Sequence, residues 1–527
     1  MKNLALPLVA AFFLCGGLYA QAVYIPDVNF KAALVNNPAI NTNGDGEIQV
    51  AEAQAYDGAI IVAGLQIESL TGIESFPAID TLDCSYNRLN SLDVSNNPAL
   101  EHLACRGNNP LAGLDVSANP ALRHLDCAGN GLASLDVGHN PALEYLRCEI
   151  NQLGSLDVSA NSALERLMCY QNQLASINVS NNPVLEYFLC SENQLTSLDL
   201  SSCLGLNVFS CENNQLANLD FTNNPALENV SCWYNQITSL DVRSNPALKH
   251  LSCFGNQLAS LDVRANPALK TLDCRINQLA SLDLSNNPAL THLQFSNNQI
   301  ASLDLSNKSD LEVLNCDDNR LDSLDVRSNP LLKGLTCNGN QLANLDVQLN
   351  PALIYFECSG NRLTGLDVSA NPNLSRFYCA SNQLTSLNVR NGNNTNMGRF
   401  DFNAIRNPNL TCIEVDDPAW AAEHWRYSVD STASFSIDCM NNTATVGIRG
   451  ITIFPNPTTG NLFINLGATY ANVTVEVNTL AGQTIFAESC SPASELELNI
   501  EGPAGIYFVA VRVGGGEGIT TRVLKLD

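Results

Sequence analysis

Basic side chains are scarce in this chain, with 26 Lys and Arg against 52 Asp and Glu over 527 residues, a net charge of −26. A surface of that sign repels a phosphate backbone and an anionic membrane, so no nucleic acid partner is expected, and cations or basic surfaces fit better. Aromatic residues make up only 6% of the chain, with 3 Trp, so rings that recur at one position carry information. After residue 20 no apolar run reaches the roughly 20 residues a membrane helix needs, and the mature chain should hold no transmembrane segment. Catalytic signatures are missing as well. There is no HExxH, no GxSxG, no phosphate loop ending in GK and no Cys-x-x-Cys, so the chain does not read as an enzyme. A 45% hydrophobic, 15% charged composition still describes a folded protein with ample core.

Repetition supplies that core. The stretch LEYLRCEINQLGSLDVSANSA (Leu143–Ala163) returns in fifteen coils between Leu82 and Val389, with a step of 21 residues except for one coil of 22, lengthened by Pro110. Each coil is doubled: Leu143, Leu146, Cys148 and Asn151 are echoed by Leu153, Leu156, Val158 and Asn161. Apolar residues two apart point to one side of an extended segment, so each half-turn should hold a short strand, and stacked coils should build two parallel sheets. The recurrent Asn-Pro pair would break a helix. Asn closes the first half-turn in all fifteen coils and the second in twelve, where its amide can satisfy backbone groups buried at the bend.

This pattern resembles the leucine-rich repeat, LxxLxLxxNxL, in the short bacterial form with two nested halves. The resemblance spans residues 79–390 and implies a mainly β solenoid that binds through its strand-lined surface. Fourteen of the 19 cysteines occupy one inward position. They read as reduced small hydrophobes, since parallel neighbours about 4.8 Å apart sit too wide at Cβ for a bridge. Cys412 and Cys439 bracket the segment that ends the solenoid, and a disulfide is expected there because an end coil lacks a neighbour.

The flanks divide into four further segments. Residues 1–20 carry Lys2, an apolar run and a small-residue ending at Ala20, which reads as a cleaved secretory signal. Residues 21–78 should form a small helical N-terminal cap. Within it, Asn41 to Glu52 has the spacing of an EF-hand calcium loop: oxygens fall at Asn41, Asn43, Asp45, the Glu47 carbonyl and Glu52, with Gly46 at the bend and Gln49 at the water-bridged position. Few of these carry charge, so calcium should bind weakly. Residues 391–445 resemble the C-terminal cap of bacterial leucine-rich repeat proteins, with LTCIEVDD (Leu410–Asp417) as the matching phrase. Residues 450–527 break into seven alternating segments that suggest an antiparallel β-sandwich. IFPNPTTGNLFINL, LAGQTIF and PAGIYFVAVRVGGG within it resemble the sorting domain of type IX secretion substrates. That family implies engagement of the type IX secretion machinery and export to the outer surface or beyond.

Two outward rows are candidates for function. On the first strand and just after it lie His102, His124, Tyr145, Tyr170, Tyr187, Trp233, Tyr234, His250, Phe254, His292 and Tyr355, a bias folding does not require and a natural anchor for a protein or glycan ligand. On the second strand, thirteen Asp residues recur from Asp93 to Asp367. Such neighbours repel by about 1 kcal/mol in water. Hydroxyls two residues earlier on the same side, such as Ser134, Ser155, Ser239 and Ser260, are the expected relief. The chain thus reads as a secreted or cell-surface binding protein. The alternative is a calcium-dependent adhesive component without a dedicated ligand.

Overall fold

The structure is a computed structural model that describes residues 21–108, 110–439, 451–513 and 517–526. The expected signal segment 1–20, and residues 440–445 of the expected C-terminal cap, lie outside the described residues. Two compact units divide the chain, one reaching Leu345 and including Leu349–Cys358, the other comprising Asp346–Gln348 and Ser359–Asp527.

The first unit begins with the helix Val28–Val35, which buries Phe30 and Leu34. Asp27 caps it through one carboxylate oxygen, which accepts the N–H groups of Asn29 and Phe30. Its other oxygen accepts Glu68 and Ser69 N–H groups at 2.7 and 3.2 Å, so a single side chain ties the cap to the first coil. Three-residue strands then recur once per coil, from Ala59–Ile61 and Thr81–Asp83 to Gly334–Thr336 and Tyr355–Glu357. Each pairs in parallel with the next in the first unit, so that Leu146 lies opposite Leu167 and Tyr145 opposite Arg166. The middle residue of each strand is buried and its neighbours face outward, as alternation requires.

Inside the coil, the cysteines behave as packed hydrophobes with a weak donor. Cys84, Cys105, Cys127 and Cys148 are fully buried, and the Cys127 Sγ donates to the Arg147 carbonyl of the next coil at 3.4 Å. Burial pushes their thiols well above the ordinary range, to about 12 for Cys105. The asparagine that follows ties its own coil to the one before it. Asn172 Nδ2 donates to the carbonyls of Cys148, Cys169 and Tyr170, while its Oδ1 accepts the Leu153 N–H at 3.0 Å.

That bonding explains where the solenoid starts. Ala59–Ile61 continues the sheet one coil ahead of Cys84, with Ile60 and Val62 in the buried places, but Leu65 stands where asparagine would be. Asn87 reaches back to the Val62 carbonyl at 2.8 Å. An asparagine at position 65 would have no earlier coil to reach.

The second half-turn differs from a full second sheet in the first unit. There its ladder is reduced to isolated bridges such as Asp93 to Asp115 and Asp220 to Asp241. Its asparagines do less: Asn161 Nδ2 donates to Val137 and Asn140 carbonyls at 3.0 and 2.8 Å, and its buried Oδ1 finds no partner among the described residues.

In the second unit this ladder becomes a four-stranded parallel sheet, Gly365–Asp367, Ser386–Asn388, Cys412–Glu414 and Ser434–Ser436. One more first-half strand, Phe402–Asn403, pairs with Arg376–Tyr378 after the period is lost in the sequence. Asn407 keeps the ladder there, donating to the Cys379 and Ala404 carbonyls. Cys412 and Cys439 form a disulfide beside the last strand pair. Beyond residue 450, three strands (Thr452–Phe454, Asn461–Tyr470, Ala493–Asn499) and four (Val473–Thr479, Thr484–Cys490, Gly505–Val513, Glu517–Lys525) make two antiparallel sheets. A shared core of Leu462, Ile464, Val475, Leu498, Val509 and Val523 lies between them.

Candidate functional site

The register of the first strands sets which outward side chains can meet. His102 and His124 are stacked with centroids 4.4 Å apart, and Tyr145 follows at 5.7 Å. Burial, aided by the neighbouring His102, lowers the His124 pKa. Arg166 lies over the Tyr187 ring at 5.9 Å. The row then breaks, because Val208 and Asn229 occupy the next two places. His250 and His292 are separated by Thr271. Tyr355 lies along the sheet over Gly334, where an added Cβ would fall 1.9 Å from the ring. The row is therefore not one continuous surface.

After the buried cysteine the side chains stand closer together. Trp233 and Phe254 stack with centroids 5.1 Å apart and 9° between planes, Tyr234 meets both edge-on, and the Arg275 guanidinium caps Phe254 at 5.0 Å. Rings stacked on adjacent strands cover each other's faces and present edges outward. Tyr170 neighbours a different group, in which Arg147 holds Asp126 and the fully buried Glu149 side chain. Burial raises the Asp126 pKa despite that partner.

Between these clusters the outward row is lined by small side chains that the aromatic pattern does not mark. A trough of about 300 Å³ opens on the outward face, lined by Leu189, Val208, Ser210, Asn229, Ser231, His250, Ser252 and Thr271, among others. Its signal was in the sequence as a run of small residues. The position before the cysteine reads Arg147, Met168 and Leu189, then Ser210, Ser231 and Ser252, then Asp273.

The acid row is relieved differently from the hydroxyl contacts expected at Ser134, Ser155, Ser239 and Ser260. Each aspartate closes its own bend: Asp157 Oδ1 accepts the Ser159 N–H at 2.9 Å, and Asp93, Asp115 and Asp199 do the same two residues on. The chain turns directly after the strand, which brings that N–H within reach. Arg243, Arg264 and Arg327 add side-chain hydrogen bonds to Asp241, Asp262 and Asp325, which pull those carboxyls down to about 2.

In the Asn41–Glu52 loop, Asn41, Asn43 and Asp45 each accept a backbone N–H from Gly44, Asp45 and Glu47 at 2.8–3.1 Å. The amides of Asn43 and Gln49 both reach Asp45 Oδ2, at 3.1 and 3.0 Å. Glu52 accepts from Thr42, Asn43 and Gln49; burial works against its charge, but these bonds outweigh it and hold the pKa low. The Glu47 side chain pairs with Lys31 at 2.6 Å. Among the described residues no three His, Cys, Asp or Glu side chains gather as a metal cluster, so any ion here would need amide and carbonyl oxygens beside the carboxylates of Asp45 and Glu52.

Solved structures share this architecture. The functional domain of InlJ from Listeria monocytogenes, whose description includes a cysteine ladder, aligns over 96% of this chain and 98% of its own, at 25% identity and a TM-score of 0.64. The solenoid has a leucine-rich-repeat-like fold. Two further leucine-rich repeat-like neighbours show the fold alone: a TDR receptor (18% identity, 68% of this chain, 70% of that one, TM-score 0.57) and the plant peptide hormone receptor RGFR1 in complex with RGF2 (18%, 72%, 70%, 0.53). Residues 452–525 match the family described as the secretion system C-terminal sorting domain. No curated protein matches the chain. The sorting domain indicates type IX secretion to the cell surface or exterior, and among the described residues no helix is long and apolar enough to cross a membrane.

Proposed function

We propose that this leucine-rich repeat protein, once exported, works as a binding protein that holds a macromolecular partner, protein or glycan, on the outward face of its first strands. The trough carries this reading. A rigid parallel ladder needs no gap in its outer row, yet three successive serines open one beside the Trp233–Phe254 stack.

Filling the trough tests the idea better than stripping the rings, because Trp233 and Phe254 pack on each other and their removal would disturb the sheet. Ser231→Phe should leave thermal stability close to the parent and reduce partner capture at least tenfold. Asp241→Asn with Asp262→Asn should leave capture unchanged. Normal capture by Ser231→Phe, with loss in the acid-row variant, would overturn the assignment.

Calcium is the second part of the proposal. The donors Asn41, Asn43, Asp45, the Glu47 carbonyl and Glu52 are all oxygen, as a hard cation requires, and the Asn43, Asp45 and Gln49 side chains already converge. An ion there would replace the amide contacts among them and stabilise the cap.

A further inference from the structure

Residues 452–525 match a sorting domain, and a sorting domain acts by being recognised, so its surface should show what recognises it. The three-stranded sheet uses one face for the core, through Leu462, Ile464, Leu466 and Leu498. Its other face carries Phe454 and Phe463, directly opposite each other in register, with ring centroids 5.9 Å apart. They are 51% and 43% exposed. Single exposed apolar residues are ordinary, but two rings paired across strands on the solvent side form a small apolar surface. On the third strand Glu497 lies directly opposite Phe463, and Glu495 lies opposite Asn465; both are exposed. From Ile451 to Asp527 the chain holds seven acidic and three basic residues.

We propose that Phe454 and Phe463, rimmed by Glu495 and Glu497, form the surface by which the export machinery takes hold of this chain. The partner is a protein presenting an apolar recess flanked by Lys or Arg, the chemistry that complements paired rings beside two carboxylates. The inference rests on reading residues 452–525 as an active export signal in this chain.

The test expresses the full chain in a Gram-negative cell with a type IX system and compares the amounts outside the outer membrane and in the periplasm. Phe454→Ser with Phe463→Ser should cut the exported fraction at least tenfold and leave the chain folded in the periplasm. Glu495→Lys with Glu497→Lys leaves the rings in place and should also cut it severalfold, which keeps the test decisive if the ring variant folds poorly. Leu480→Ser, at a turn residue that is 71% exposed, should export as the parent does. Deletion of residues 450–527 separates the two claims. If the deletion is trapped while both double variants export normally, the surface assignment is overturned and the sorting reading stands. If the deleted chain is itself exported normally, the sorting reading falls and the surface with it.

Discussion

The two asparagine rows should differ in energetic weight, and Asn172 and Asn161 measure the difference. Asn172 satisfies three carbonyls and one N–H, all in or beside the buried bend. Asn161 satisfies two carbonyls, and its Oδ1 is already without a partner. A buried polar group left unpaired costs about 1–3 kcal/mol. Only the Leu153 N–H loses its one partner with Asn172, because the carbonyls that Asn172 and Asn161 reach also accept from Asn151, Asn193, Ile150, Asn140 and Leu143, so about 2 kcal/mol is expected for Asn172→Ala and under about 1 kcal/mol for Asn161→Ala. Because each repeat contacts only its neighbours, the loss should appear as local opening of the adjacent coils and not as a uniform weakening.

Hydrogen–deuterium exchange on peptides between Leu143 and Leu185 reads this directly. At about 1.4 kcal/mol per tenfold, exchange there should quicken by about 30-fold for Asn172→Ala and by under about fivefold for Asn161→Ala. Peptides five coils away should be unchanged. Equal acceleration by the two variants, or an effect under about 1 kcal/mol for Asn172→Ala, would refute the idea that unequal bonding sets unequal weight.

Three other outcomes can be checked. The ladder thiols, such as Cys105 and Cys232, stay protonated in the fold up to about 12. Their unfolded values lie near 9. Stability is therefore intact below pH 9 and falls by about 1.4 kcal/mol per thiol per pH unit above it. Circular dichroism should show cooperative unfolding soon after pH 9, shifted upward in Cys105→Ala with Cys232→Ala, and a solenoid that persists beyond pH 11 would contradict this. Calcium at 10 mM should stabilise the cap by about 1–3 kcal/mol if its affinity is that of a weak extracellular module; magnesium should do less, and a calcium response that survives Asp45→Ala with Glu52→Ala places the ion elsewhere. Replacing Cys412 and Cys439 by Ser opens a loop of 27 residues and should cost about 3–4 kcal/mol by loop entropy. Trp420 and Trp425 fluorescence should report earlier melting of the C-terminal cap, and an unshifted transition would show that the cap does not need the staple.

The features legible in the sequence are those the 21-residue step repeats. Cys148, Asn151 and Leu153 each have the same neighbours one coil away, so a residue's role can be read from its position alone. The seven sandwich strands were legible for a related reason, alternation, and the helix around Phe30 and Leu34 from its local pattern. Legibility ends where a role depends on something other than the repeat. Leu65 and Ala404 lie in coils that continue the sheet, but the first has no earlier coil to bond and the second replaces the buried cysteine, so the motif missed both coils. The partner of each aspartate was sought on the same face at i−2, whereas backbone direction after the strand makes the N–H at i+2 the nearer donor; a side-chain pattern does not encode that direction. The proposed binding face was hardest, because large residues attract attention while Ser210, Ser231 and Ser252 look like filler. On a rigid ladder, however, each outward row is filled or empty at intervals of about 4.8 Å. A run of three small side chains therefore leaves space of a fixed size, and the informative residues are the ones that decline to fill it.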